Sequence, residues 1–186
     1  MKTFFFLKHL FFLSSIMLIL LSTSCKPEKT DPKNDSEVIT TLECQFTDSA
    51  TGLLINTFRF ADPDGDGGMD PTTDDQIQLA TNKTYFVAIR FLDETKNPVV
   101  DITQEIEEEG EEHQVFYELA ANTGIQILYD DIDTQGNPLG LQTKWKTTSA
   151  ASGTVRVILK HQPGVKDGSP LSGETDFDHT FSIQIN

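Results

Sequence analysis

The sequence predicts an all-β fold: an antiparallel, immunoglobulin-like β-sandwich of about seven to nine strands, with at most one short helix near residues 102–112. Three observations predict it. Short segments rich in Val, Ile, Thr, Phe and Tyr alternate apolar and polar residues with the period of two that a half-buried strand needs. Clusters of Gly, Pro, Asn and Asp interrupt these segments at short intervals. Amphipathic helical stretches between strands, which a parallel α/β sheet requires, are missing.

The strands follow in order. Residues 38–46 are rich in β-branched side chains, and Asp48-Ser49-Ala50-Thr51-Gly52 supplies a turn. In residues 54–60, Leu54, Asn56, Phe58 and Phe60 alternate with Ile55, Thr57 and Arg59, which suits a strand packed on one side. After an acidic loop come residues 77–79 and the run 84–92, apolar on both faces apart from Arg90, as in a central strand. Residues 113–119, 124–129, 139–145, 153–160 and 177–185 are the later candidates; in the last, Phe177, His179, Phe181, Ile183 and Ile185 share a face. Residues 102–112 tempt a helix that Asp101 or Thr103 would cap. Glu107, Glu108, Glu109, Glu111 and Glu112 crowd like charge without lysine partners, which limits it to one or two turns.

Ahead of the sandwich, residues 1–24 carry Lys2 and Lys8, no acid, and an apolar block from Leu10 to Leu21. That is the anatomy of a secretory signal peptide, and Leu21-Ser22-Thr23-Ser24-Cys25 reads as a lipobox-like cleavage site, with Ser22 where leucine is commoner. Cys25 is the expected lipidated mature N-terminus, because several acyl chains hold a protein to a membrane where one binds only marginally. An uncleaved anchor is the competing reading, and the apolar run falls short of the roughly 20 residues a span needs; a plainly secreted protein is the third. Residues 25–37 form a polar tether, leaving residues 38–186 as the sandwich domain.

The chain carries a formal charge of −15, and the leader takes two lysines and no acid with it. Such a balance repels phosphate backbones, so nucleic acid is excluded as a partner. Divalent cations and basic partners suit it. With Cys25 acylated, Cys44 has no disulfide partner and reads as a small core residue.

Two clusters could hold metal. Asp62, Asp64, Asp66 and Asp70 occupy positions 1, 3, 5 and 9 of a calcium-type loop with Gly67 at position 6, but position 12 is Thr73. The same stretch also makes a plain turn. Glu112, His113 and His161 offer nitrogen and oxygen ligands to zinc or a similar borderline cation, without the tight spacing of a known motif. Ordinary strand-end hydrogen bonds are the competing explanation. Asp130, Asp131 and Asp133 would complete a cation site if their loop met the Asp62 loop; turn capping explains them equally well. Trp145, Tyr117 and Tyr129 could line a sugar-binding face or belong to the core. Nucleophile elbows, metalloprotease helices and phosphate loops are absent, so a non-enzymatic protein is expected.

Several segments stand in a characteristic order: Ile39-Thr40-Thr41-Leu42, Asp62-Pro63-Asp64-Gly65-Asp66-Gly67-Gly68, Asp101-Ile102-Thr103-Gln104-Glu105-Ile106-Glu107 and Glu111-Glu112-His113-Gln114-Val115-Phe116-Tyr117. Gly136-Asn137-Pro138-Leu139-Gly140-Leu141, Leu159-Lys160-His161-Gln162-Pro163 and Gly173-Glu174-Thr175-Asp176 follow. The set resembles a family of small Bacteroidetes-type envelope lipoproteins, whose members are often labelled type 1 periplasmic binding fold. The resemblance covers nearly all of residues 37–186. It implies partnership with an outer-membrane receptor of the TonB-dependent class and hence nutrient or metal uptake, with Glu112, His113 and His161 as the metal-carrying positions.

The expectation is therefore a lipid-anchored, non-enzymatic outer-membrane protein that binds a small ligand or divalent cation, as accessory to a transporter. A structural or adhesive surface module stabilised by calcium is the alternative, and a glycan-acting enzyme the third.

Overall fold

A run of β-branched and aromatic residues at the start of the domain builds a hairpin. β1 (Thr41–Asp48) pairs antiparallel with β2 (Leu54–Ala61). The Asp48 carboxylate shapes the turn by accepting the Ala50 N–H at 2.8 Å and the Thr51 N–H at 3.2 Å. The computed structural model describes residues 38–65 and 67–186, which fall within one compact unit, Asp35–Asn186. The leader, Cys25, the tether and Asp66 lie outside the described residues.

The fold is an all-β sandwich. Beyond the hairpin come β3 (Thr73–Asp74), β4 (Ile77–Leu79), β5 (Thr84–Asp93), β6 (Val100–Asp101) and helix α1 (Thr103–Glu108). β7 (His113–Leu119), β8 (Ile125–Tyr129), β9 (Gln142–Thr147), β10 (Ala151–His161) and β11 (Glu174–Ile185) complete it. One sheet runs β3-β2-β1-β5-β9-β8 with β6 against the end of β5; the other runs β4-β11-β10-β7. Nine strands are those the sequence led us to expect. The remaining two, β3 and β6, are two residues long and too short to leave a periodic signature. Every pairing is antiparallel except β4 with β11, which is parallel.

The two inner faces meet in one core, with Leu42, Phe46, Val87 and Trp145 of the first sheet against Val115, Val157, Leu159 and Phe181 of the second. Phe46 is fully buried and packs edge-on against Phe58, Tyr85 and Trp145, with ring centroids 5.1–6.0 Å apart. Such contacts add about 0.5–1.5 kcal/mol each beyond area burial. Cys44 joins this core at 1% exposure, and burial pushes its thiol up. β5 is central, as its composition suggests, although Phe86 faces solvent at 42% exposure.

The strand expected at 139–145 begins only at Gln142, for a topological reason. The Leu139 carbonyl accepts from Val115 N in the second sheet, and the Leu141 carbonyl accepts from Ile89 N in the first. The chain crosses between sheets here. Gly140 makes the crossing possible with φ +93°, and a Cβ there would lie 2.6 Å from the Val115 carbonyl.

Helix α1 spans six residues, anchored by the fully buried Ile106. Its first turn is tied to Asp101, whose carboxylate accepts the Thr103 N–H at 3.1 Å. Its last turn carries no basic residue, and the glutamates there oppose the helix dipole. No helix among the described residues is long and apolar enough to cross a membrane.

Candidate functional site

The starts of β7 and β11 and the end of β10 meet at one end of the four-stranded sheet. His113 is the first residue of β7 and stands directly opposite His161, the last of β10. Their rings stack at 4.7 Å with an 18° interplanar angle. Sequence reasoning paired these residues by type; the antiparallel register makes them neighbours.

β11 adds a third potential ligand that the sequence did not reveal. Leu159 pairs with Phe177 and Lys160 with Thr175, so the register slips by one residue at Asp176. This is a β-bulge, and bulges re-aim side chains. Strict alternation would place Asp176 opposite to the core-facing Phe177. Instead its side chain is 4% exposed and its Oδ2 lies 3.8 Å from His113 Nε2. Ligand atoms of His113, His161 and Asp176 all lie within 4.8 Å of one another. The Glu112 carboxylate sits at the rim, 49% exposed, with Oε2 at 3.5 Å from His161 Nε2.

The protonation state of His113 follows from its surroundings. Burial pushes the imidazole below its usual 6.5, and His161 pushes the same way. The Glu109 carbonyl and the Asp176 and Glu112 carboxylates pull it back only in part. His113 is therefore neutral at pH 7. Its Nδ1 lies 3.2 Å from the Glu109 carbonyl, an acceptor, which assigns the N–H to Nδ1 and the lone pair to Nε2. A carbonyl on one ring nitrogen is what orients a metal-binding histidine. Two imidazoles and a carboxylate suit zinc and similar borderline cations. Tetrahedral ligands at zinc distances lie roughly 3.3 Å apart, so the cluster, spread over 4.8 Å, would have to close by up to roughly 1.5 Å around an ion.

The other sequence candidates are arranged differently. In the Asp62 loop, the Asp62 carboxylate accepts the Gly65 N–H at 3.2 Å and Asp64 accepts the Met69 N–H at 2.8 Å. These are the bonds of a turn. Asp70 is exposed, and Asp66 lies outside the described residues. Among the described residues, His113, His161 and Asp176 form the one cluster of three potential ligands; the Asp62 loop does not join it.

The acids at 130–133 are engaged by backbone N–H groups and lysines rather than brought to the Asp62 loop. Asp131 accepts the Gly140 and Gln142 N–H groups at 2.7 and 2.8 Å, and Asp130 pairs with Lys144 at 3.1 Å. Asp133 caps the Gln135 and Asn137 N–H groups and pairs with Lys166 at 2.8 Å. Trp145 is fully buried, so the aromatic trio lines no sugar-binding face: Tyr117 donates to the Gly140 carbonyl and Tyr129 to the Val115 carbonyl, pinning the crossing.

Comparison with protein-family models, with curated proteins and with solved structures finds no match to this chain.

Proposed function

We propose that this is a lipid-anchored protein of the outer membrane that binds zinc or a similar borderline divalent cation without catalysing a reaction. His113, His161 and Asp176 are its ligands and Glu112 its rim contact. The observation that carries the reading is the convergence of two imidazoles and a carboxylate from three neighbouring strands, with one imidazole oriented by a backbone carbonyl. The leader and Cys25 support the anchor. The resemblance to envelope lipoproteins supports handing the cation to an outer-membrane receptor of the TonB-dependent class.

Calorimetry of the purified full chain in detergent, titrated with zinc chloride, tests the binding. One equivalent binds with micromolar or tighter affinity. Loss of an outer-shell partner costs metal sites about 10–100-fold; Asp176→Ala and His113→Ala/His161→Ala, which remove ligands, cost more. Wild-type protein that binds no zinc, or variants that bind it unchanged, would sink the proposal. Mass spectrometry of native material, showing acyl chains on Cys25, tests the anchor.

A further inference from the structure

The outer face of the larger sheet carries a second feature, remote in kind from the histidine cluster. Gln45, Ala88 and Gln142 stand side by side on β1, β5 and β9. With neighbouring strands about 4.8 Å apart, the two glutamines are separated by about 10 Å, and only a methyl group fills the space between them. Helix α1 overhangs one side of this row and turns it into a groove of about 650 Å³.

Its chemistry narrows the occupant. The floor strands are interior strands whose backbone groups are already paired, so an added strand finds no free edge there. Asp101, Glu107 and Glu108 line the wall and repel anions. Arg90 is occupied, its guanidinium bonded to Asp101 at 2.8 Å and to Glu43 at 3.2 Å. Among the described residues, neither the Gln45 nor the Gln142 side-chain amide has a protein partner. Each offers two N–H donors and a carbonyl acceptor, the combination that satisfies hydroxyl groups. Two residues along β5, about 7 Å away on the same face, the half-exposed Phe86 presents an apolar ring. The Lys144 ammonium lies over one face of the ring, Nζ 5.1 Å from the centroid, so a ligand would stack on the other face. Amides and carboxylate acceptors lining the groove, with an aromatic ring just outside it on the side away from the helix, match the hydroxyl edges and C–H faces of a sugar.

We infer that this groove is a binding site for a neutral oligosaccharide, read by Gln45 and Gln142 with Phe86 as the stacking surface. A cationic peptide would also suit the acidic wall and the ring, but its ammonium and guanidinium groups only donate, so the N–H donors of the two amides would find acceptors only in its backbone.

Affinity electrophoresis of the full chain in detergent tests this, through gels containing a soluble neutral glucan, mannan or xylan, with polygalacturonate as the anionic control. At least one neutral polysaccharide retards the protein and polygalacturonate does not. Gln45→Ala/Gln142→Ala, at solvent-facing positions, abolishes the retardation and raises the Kd for the corresponding oligosaccharide by at least about tenfold. His113→Ala/His161→Ala leaves retardation unchanged, which separates this site from the metal cluster. Absence of retardation in all three neutral gels, equal retardation of the glutamine variant, or preferential binding of polylysine would overturn the inference.

Discussion

Lys166 illustrates how a single side chain can organise one end of a sandwich. Its ammonium, with the side chain 3% exposed, donates to the Gly110 carbonyl and to Asp133 Oδ2, both at 2.8 Å. Burial works against the Asp133 carboxylate. The Lys166 ammonium and the Asn137 N–H outweigh burial and bring its pKa down to about 2. The bond to Gly110 ties the 162–173 loop to the segment leading into His113. Breaking a buried pair by removing one partner costs about 3–5 kcal/mol, and urea denaturation of Lys166→Met should show a loss in that range at pH 7. A loss under about 1 kcal/mol would mean that the pair is hydrated. Since the folded Asp133 titrates below its unfolded value of 3.8, its contribution is full above that value and disappears as pH falls towards 2. The sequence marked Asp133 only as one of three loop acids and did not mark Lys166, because the contact depends on a long loop folding back over another.

At the scale of elements, β3 and β11 belong to different sheets and are joined by His179. Its ring stacks on Phe60 at 3.8 Å, and its Nε2 lies 3.1 Å from Asp74 Oδ1. Burial lowers its pKa from 6.5, and the Asp74 and Asp178 carboxylates offset this only in part. The unfolded chain therefore takes up the proton first. Stability from this contact is complete above about 6.5 and is lost as pH falls through the lower folded value. The melting temperature should drop between pH 7 and pH 5, and His179→Gln should flatten part of that slope; His113 acts in the same sense and retains the rest. An identical slope in the variant would remove His179 from the account. The strands themselves were legible from alternation, including the face that His179 shares with Phe177 and Phe181. What alternation could not convey was register. It predicted neither that His113 would face His161 nor that a bulge would turn Asp176 inward. The crossing at Gly140 was hidden for a related reason: an apolar run reads the same whether it stays in one sheet or passes to the other.

For the molecule as a whole, its two cysteines give a direct test of the proposed processing. Cys44 lies in the core with its thiol pushed up by burial and, secondarily, by Glu43, so it resists thiol reagents while the protein is folded. Native material should react with Ellman's reagent only after denaturation, and then through a single thiol if Cys25 is acylated. Two thiols on denaturation would contradict the anchor. The all-β architecture was readable because each strand carries its own local pattern, whereas the outer groove was not. It arises from Gln45, Ala88 and Gln142 falling into one row, and these residues are far apart along the chain.

The irregularity before Phe177 makes the proposed metal cluster detachable from its scaffold. Remove Asp176 alone and Phe177 follows directly on Thr175, while Leu159 with Phe177 and Lys160 with Thr175 keep their present alignment. A single-codon deletion should thus yield a protein with unchanged circular dichroism that no longer takes up zinc. Read in reverse, one inserted aspartate beside a cross-strand histidine pair brings a third potential ligand to it, so the proposed site can be gained or discarded in one mutational event without rebuilding the domain.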